Sequence, residues 1–159
     1  MNKDQYKQWP VGPNTQCTLK SCWSKRWDRG PSLRFKFESD CGATIVDGMW
    51  WMDEMTDSYF DMIVQRSRHI VTTIAGREAW AKAGSPKRLG LDKFFENLAK
   101  IVSEHNGAKF RLKTLYKLGA DGSKRPRMGV TVSFITPINS SQILAYSDDE
   151  REDGRLILG

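Results

Sequence analysis

The stretch TQCTLKSCWSKRWDRGPSLRFKFESDCGATIVDGMWW, residues 15–51, decides the fold. Apolar and polar residues alternate in it with a period of two, which predicts three successive β-strands, at 16–23, 33–37 and 43–51. A loop at 24–32, which contains Gly30-Pro31, separates the first pair of strands, and the tight turn SDCG separates the second. The rest of the chain is interpreted around these strands.

The same stretch mixes cations with large aromatic side chains. Four of the six tryptophans of the chain lie in it, and Lys and Arg stand beside them. Single-stranded nucleic acid offers both phosphates for cations and bases for stacking on flat rings. The composition of the stretch therefore favours a nucleic-acid-binding surface.

After residue 53 the apolar period becomes helical. Apolar residues at helical spacing run as far as Gly76, and 77–83 add a short helical turn. After a loop at 84–90, an apolar stripe from Leu91 to Val102 predicts an amphipathic helix that ends near Asn106-Gly107. A helical insertion of this length, about 53–106, is larger than a simple barrel needs, and suits a dimerisation surface or a lid.

Strands return after the insertion. Residues 110–117 alternate again, a basic loop follows at 118–127, and a fifth strand runs over 128–135 before Pro137. Three strands, a helical connection and a hairpin are the element order of the OB-fold, a five-stranded, partly open barrel that binds oligonucleotides through its strands 2–3 face and its 1–2 and 4–5 loops. The expected class is α+β, mainly β, with the helices between strands 3 and 4.

The predicted core is one apolar face of each strand. In the first strand, alternation places Cys17, Leu19, Ser21 and Trp23 on the same face. Trp9 is expected to anchor a mobile lead-in, residues 1–14, onto the body. The core residues expected in the strands are Leu19, Leu33, Phe35, Phe37, Phe110, Leu112, Val130, Val132 and Phe134.

Charge is distributed unevenly along the chain. The 159 residues carry a net charge of +6, which favours anionic partners. Residues 147–159 sum to −3, so the preceding body carries +9. With 39% hydrophobic residues, no apolar run of membrane-spanning length and no secretory leader, the chain is expected to be cytoplasmic, in a host cell if it is viral.

The strand AKFRLKTLYK, residues 108–117, follows a helical segment and a glycine and leads into a basic hairpin. In this arrangement, residues 15–136 resemble the OB-fold single-stranded DNA-binding proteins of bacteriophages. The C-terminal segment 137–159 ends in SDDEREDGRLILG, which is similar to their acidic tails tipped with apolar residues. The resemblance implies coating of single-stranded DNA in replication or recombination, with a tail that recruits partner enzymes. A solvated tail without a partner is the alternative.

The candidate binding residues are aromatic and basic side chains of the polar strand faces and of the two basic loops. Trp27 is the leading stacking residue, because Arg26, Asp28 and Arg29 around it disfavour burial. Trp50 is preferred to Trp51, which points to the opposite side of the strand. The full set comprises Trp23, Lys25, Arg26, Trp27, Arg29, Arg34, Lys36, Trp50, Arg111, Lys113, Tyr116, Lys117, Lys124, Arg125 and Arg127.

Enzymatic and metal-binding readings are weaker. The chain has no P-loop, nucleophile elbow or H-E-x-x-H motif, so no catalytic residue and no cofactor is expected. An RNA-binding OB domain and an oligomeric assembly factor remain alternatives. Two other sites are disfavoured: a nuclease centre of Asp47, Asp53, Glu54, Asp57 and Asp61, and a zinc site of Cys17, Cys22 and Cys41 with His69 or His105.

Overall fold

A computed structural model describes residues 8–50, 56–118, 122, 124–128 and 135–138, with only the backbone at Lys117, Leu118 and Pro137. The first strands are β1 (Gly12–Trp27), β2 (Gly30–Ser39) and β3 (Thr44–Trp50). Four helical segments follow: α1 (Asp57–Ala75), α2 (Arg77–Lys82), α3 (Pro86–Leu89) and α4 (Leu91–Ser103). The later strands are β4 (Lys109–Leu118), β5 (Lys124–Met128) and β6 (Ile135–Pro137). The predicted mixed α+β class and element order are confirmed.

The strands form one antiparallel sheet in the order β3-β2-β1-β4-β5. The sixth strand, β6, pairs with the first half of β4, at Phe110–Leu112, whereas β5 pairs with its second half, at Thr114–Leu118. The described sheet therefore has six strands, where five were predicted. No backbone ladder joins β3 to β5 within the described residues. These two strands are instead linked through the side chain of Asp47, which accepts a hydrogen bond from the Met128 backbone N–H at 2.8 Å.

The core lies between the sheet and α4. Phe94, Phe95 and Leu98 of α4 are fully buried, and α4 packs on β1 and β2. The hydroxyl of Ser103 also donates to the Cys22 carbonyl at 3.0 Å. Because burying each such apolar side chain stabilises the fold by about 1.5–3 kcal/mol, α4 is an integral layer of the domain and not a lid. Of the core residues predicted in the strands, those described are buried: Leu19, Leu33, Phe35, Phe37, Phe110 and Leu112; Val130, Val132 and Phe134 lie outside the described residues.

A β-bulge changes the predicted faces of β1. The pairing with β2 shifts between Leu19 and Ser21, so Lys20 is the extra residue. An extra residue reverses the alternation beyond it. Cys22 is therefore buried, and Ser21 and Trp23, predicted to share the face of Leu19, are only half-buried.

The hairpins are longer than predicted. β1 and β2 remain paired as far as Trp27 and Gly30, so the predicted loop at 24–32 shrinks to a two-residue turn, Asp28–Arg29. The end of the basic loop at 118–127 likewise belongs to β5, where Arg125 pairs with Lys117. Proline is the reason for both errors, since Pro31 and Pro126 suggest loops but occupy strand positions here.

The N-terminal segment is fixed to the sheet from Gln8 onward. Trp9 is 2% exposed, and its indole N–H donates to the Thr114 hydroxyl at 3.1 Å, which confirms its predicted anchoring. β1 begins at Gly12, inside the predicted lead-in. Among the described residues, no helix is long and apolar enough to span a bilayer.

Candidate nucleic-acid interface

Trp27 lies at the end of the β1–β2 hairpin with half of its side chain, 51%, exposed. Its indole N–H donates to the Ser32 hydroxyl at 2.8 Å, and that hydroxyl donates to the Lys25 carbonyl at 2.9 Å. The Lys25 ammonium sits 4.0 Å from the ring centroid, within cation–π range. The hairpin therefore presents an oriented, half-exposed ring beside a cation.

Trp50, at the end of β3, is the second aromatic group of the surface. The guanidinium of Arg34, on β2, lies 5.9 Å from its ring centroid, and the guanidinium of Arg127, on β5, lies 5.8 Å away. Arg34 pairs in register with Gly48, whose missing side chain lets the strands approach closely: a Cβ there would lie 1.9 Å from the Leu33 carbonyl oxygen. Two cations from different strands thus flank one half-buried indole.

Asp47 holds this arrangement together from inside. Its side chain is 1% exposed, and one carboxylate oxygen accepts from the Arg127 guanidinium at 2.8 Å and from the Gly48 N–H at 2.7 Å. Its other oxygen accepts from the Met128 N–H at 2.8 Å, and Arg66 of α1 lies at 4.0 Å. A buried carboxylate requires this degree of pairing. Asp47 therefore fixes where Arg127 points.

The cations around Asp47 outnumber it. Burial lowers the pKa of Arg34 and of Arg66 from the ordinary guanidinium value, Asp47 opposes that effect, and the charge of Arg127 lowers both pKa values further. The Nε atom of Arg127 is also buried and has no hydrogen-bond partner among the described residues. Among the described residues, the charge of Arg127 thus repels both Arg34 and Arg66 while the single carboxylate of Asp47 attracts them, a setting that a bound anion would stabilise.

Two clefts meet at Trp50. One, of about 640 Å³, runs along the end of the β1–β2 hairpin and is called here the hairpin surface. The other, of about 510 Å³, lies between α1 and the β3 and β5 strands. The first is lined by Lys25, Arg26, Trp27, Asp28, Arg29, Gly30, Arg34 and Trp50. The second is lined by Asp47, Gly48, Met49, Trp50, Tyr59, Met62, Ile63, Arg66, Leu115, Arg127 and Met128. Among the described residues that line them there are six cationic side chains and two carboxylates, so this part of the surface is basic.

About half of the predicted residues come together here: Lys25, Arg26, Trp27, Arg29, Arg34, Trp50 and Arg127 line the two clefts. Arg26 also forms an exposed ion pair with Asp92 of α4 at 2.6 Å. Of the other predicted residues, the side chain of Lys117 lies outside the described part of the structure, and the remaining seven line neither cleft, namely Trp23, Lys36, Arg111, Lys113, Tyr116, Lys124 and Arg125.

The residues outside the clefts have identifiable positions. Trp23 pairs in register with Arg34 and so lies next to the hairpin surface. Lys36 follows Arg34 by two residues and lies on the same face of β2. Arg111 and Lys113 lie on β4. The Tyr116 hydroxyl accepts a hydrogen bond from Gln8, on the side of β4 opposite the neighbouring cleft residue Leu115. Lys124 and Arg125, predicted in a loop, extend the ladder of β5.

Sequence reasoning missed Arg66, and considered Asp47 only as part of a nuclease centre. A signal for Arg66 exists, because it follows Ile63 by three positions and Tyr59 by seven and so falls on the inward stripe of α1. Asp57 and Asp61 are exposed on α1, whereas Asp47 is buried in its ion pair. The described part of the chain holds no group of three His, Cys, Asp or Glu side chains that could bind a metal.

Chemically, the surface can bind phosphate groups through its guanidiniums and stack planar rings on Trp27 and Trp50. Its geometry is the basis for any functional proposal. A scan against protein-family models and a search of curated proteins give no match for this chain.

Proposed function

We propose that the protein binds single-stranded DNA without strong sequence preference. The observation that carries this proposal is that the guanidiniums of Arg34 and Arg127 both lie close to the ring of Trp50. Arg34 and Trp50 also line the same cleft as the exposed ring of Trp27. Guanidiniums neutralise phosphates of any sequence, and every base has a face that can stack on an indole. Single strands expose both groups at once, whereas a duplex hides its base faces.

A partly open OB-fold barrel is the architecture that this proposal implies. The sheet order β3-β2-β1-β4-β5 brings β3 and β5 to the two ends of the path. The hydrogen bonds from Arg127 and Met128 to Asp47 draw those ends together. Both observations support the barrel, and in an OB-fold the 1–2 hairpin and strands 2–3 form the ligand face, as do Trp27, Arg34 and Trp50 here.

The biological role follows from sequence-blind binding. A protein of this kind coats or protects single strands during replication or recombination, in the cytoplasm or in a phage-infected host cell. The acidic residues 147–159, which lie outside the described residues, are proposed to recruit partner enzymes. An RNA-binding role has the same chemical requirements and is decided by the binding experiment.

The test is a tryptophan fluorescence titration with single-stranded DNA, single-stranded RNA and duplex DNA of equal length, at two salt concentrations. We expect quenching by single-stranded DNA that weakens as salt rises. Trp80→Phe is the control, because Trp80 packs edge-on against Phe94 at 5.4 Å and lines neither cleft, so its removal preserves the quenching. No quenching at low salt rejects the proposal, and stronger binding of RNA replaces it with the RNA-binding alternative.

A further inference from the structure

The cleft between α1 and the β3 and β5 strands, called here the α1 cleft, differs in character from the hairpin surface. Met62 of α1 and Leu115 of β4 line it and remain 44% and 42% exposed. Its polar side chains are Asp47, Arg66 and Arg127, together with Tyr59. Its volume of about 510 Å³ lies within the range of about 300–1,000 Å³ typical of small-ligand clefts.

Apolar walls with a few hydrogen-bonding groups are the features that a planar heterocycle requires. Guanidiniums donate in pairs to the ring-nitrogen and carbonyl acceptors of a base. Phosphate alone would not account for two exposed apolar side chains on the cleft walls. Two cations against one carboxylate among the described polar residues also make the cleft attractive to an anionic strand.

The α1 cleft adjoins the hairpin surface, because Trp50 lines both. A strand that crosses Trp27 and Arg34 therefore reaches the mouth of this cleft. We propose that the α1 cleft holds one unstacked nucleobase of the bound strand, with Met62 and Leu115 against its faces and Arg66 and Arg127 at its polar edge. This inference rests on the proposed single-strand binding and adds to it a pocket that selects an unpaired base.

The test compares two strands of equal length, one of ordinary deoxynucleotides and one made only of tetrahydrofuran abasic residues, which keeps the phosphates and removes every base. Affinities are measured by fluorescence anisotropy for the wild type and for a Met62→Ala/Leu115→Ala variant. Because one base contact is lost, we expect the variant to bind the ordinary strand about 5- to 30-fold more weakly, and the abasic strand within about 2-fold of wild type. Leu89→Ala is the matched control, since Leu89 is 42% exposed and lines neither cleft.

The outcomes separate the two proposals. If the wild type binds neither strand at low salt, the single-strand proposal itself fails. If the wild type binds but the double variant binds both strands as tightly as wild type, or loses affinity equally for both, the base-pocket inference is overturned and the general binding proposal survives. Thermal denaturation of each variant is measured alongside, and Arg66→Gln supplies a second variant that acts at the polar edge: it should also weaken the ordinary strand more than the abasic strand.

Discussion

Arg127 and Asp47 form a 2.8 Å ion pair that links two strands with no described backbone ladder between them. The carboxylate is buried and the guanidinium is about one-third exposed. The same guanidinium lies 5.8 Å from the Trp50 ring. One interaction therefore both draws β5 towards β3 and positions a cation at the point where the two clefts meet.

Asp47→Asn should destabilise the fold. The substitution removes the charge that pairs with Arg127. It also replaces one acceptor oxygen by an amide NH2 group, which would face an N–H donor at a site where the carboxylate accepts hydrogen bonds from three groups. Because Arg127 is partly solvated, we expect the free energy of unfolding to fall by about 2–4 kcal/mol, which is at or below the usual cost of breaking a buried ion pair. Urea unfolding measures it. Asp92→Asn, which breaks the exposed pair with Arg26, is the control and should cost less than about 1 kcal/mol.

Trp27→Ala and Arg29→Ala should weaken DNA binding in different ways. In the proposed binding mode Trp27 stacks on a base, so its loss should lower affinity about 5- to 100-fold with an unchanged dependence on salt. Arg29 is proposed to contact one phosphate, so its loss should reduce the slope of log K against log salt by about 0.7. Anisotropy titrations at four salt concentrations measure both quantities. Equal slopes for the two variants and wild type would contradict these assigned roles.

The sequence contains most of the fold but only part of the site. Local periodicity is sufficient to predict α4, whose buried Phe94, Phe95 and Leu98 follow helical spacing, and the buried faces of β2 and β4. The bulge at Lys20 cannot be recognised from local periodicity, because a residue is extra only in relation to the strand with which it pairs, here β2. Proline at positions 31 and 126 concealed the true extent of two hairpins.

The missing part of the site depends on long-range contacts. Trp27 and Lys25 are close in sequence, and local reasoning grouped them. Asp47 and Arg127 are separated by 80 residues, and they meet only because the sheet brings β5 next to β3. No local pattern indicates which of the chain's many basic residues the buried carboxylate will select. Arg127 could therefore be predicted as a cation of the surface, but its anchoring could not.

Asp92→Asn should increase affinity for DNA. Asp92 pairs with Arg26 at 2.6 Å on the rim of the hairpin surface, so a phosphate that uses Arg26 must compete with this carboxylate. Because the pair is about half exposed, the gain should be modest, about 2- to 4-fold at low salt, and should shrink as salt screens both interactions. Anisotropy titration measures it. Glu104→Gln, which removes an exposed carboxylate beyond the end of α4 and outside both clefts, is the charge-matched control.

His69 should make the protein less stable in acid. It is 6% exposed in α1, and burial together with the nearby charge of Arg66 lowers its pKa to about 3. In the unfolded chain a histidine titrates near 6.5, so between about pH 6.5 and 3 the unfolded state binds the additional proton. The contribution of neutral, buried His69 to the free energy of unfolding is thus fully present above the unfolded pKa and is lost as pH falls through this window. The free energy of unfolding should fall by roughly 3 kcal/mol between pH 7 and pH 4 for this reason. Urea unfolding at pH 7, 5.5 and 4 measures the free energy of unfolding as a function of pH, and His69→Gln should make it depend less on pH over this range. The control is His105→Gln, at the partly exposed second histidine, which should leave the pH dependence as in wild type. A wild-type slope retained in His69→Gln would show that the acid sensitivity arises from the carboxylates instead.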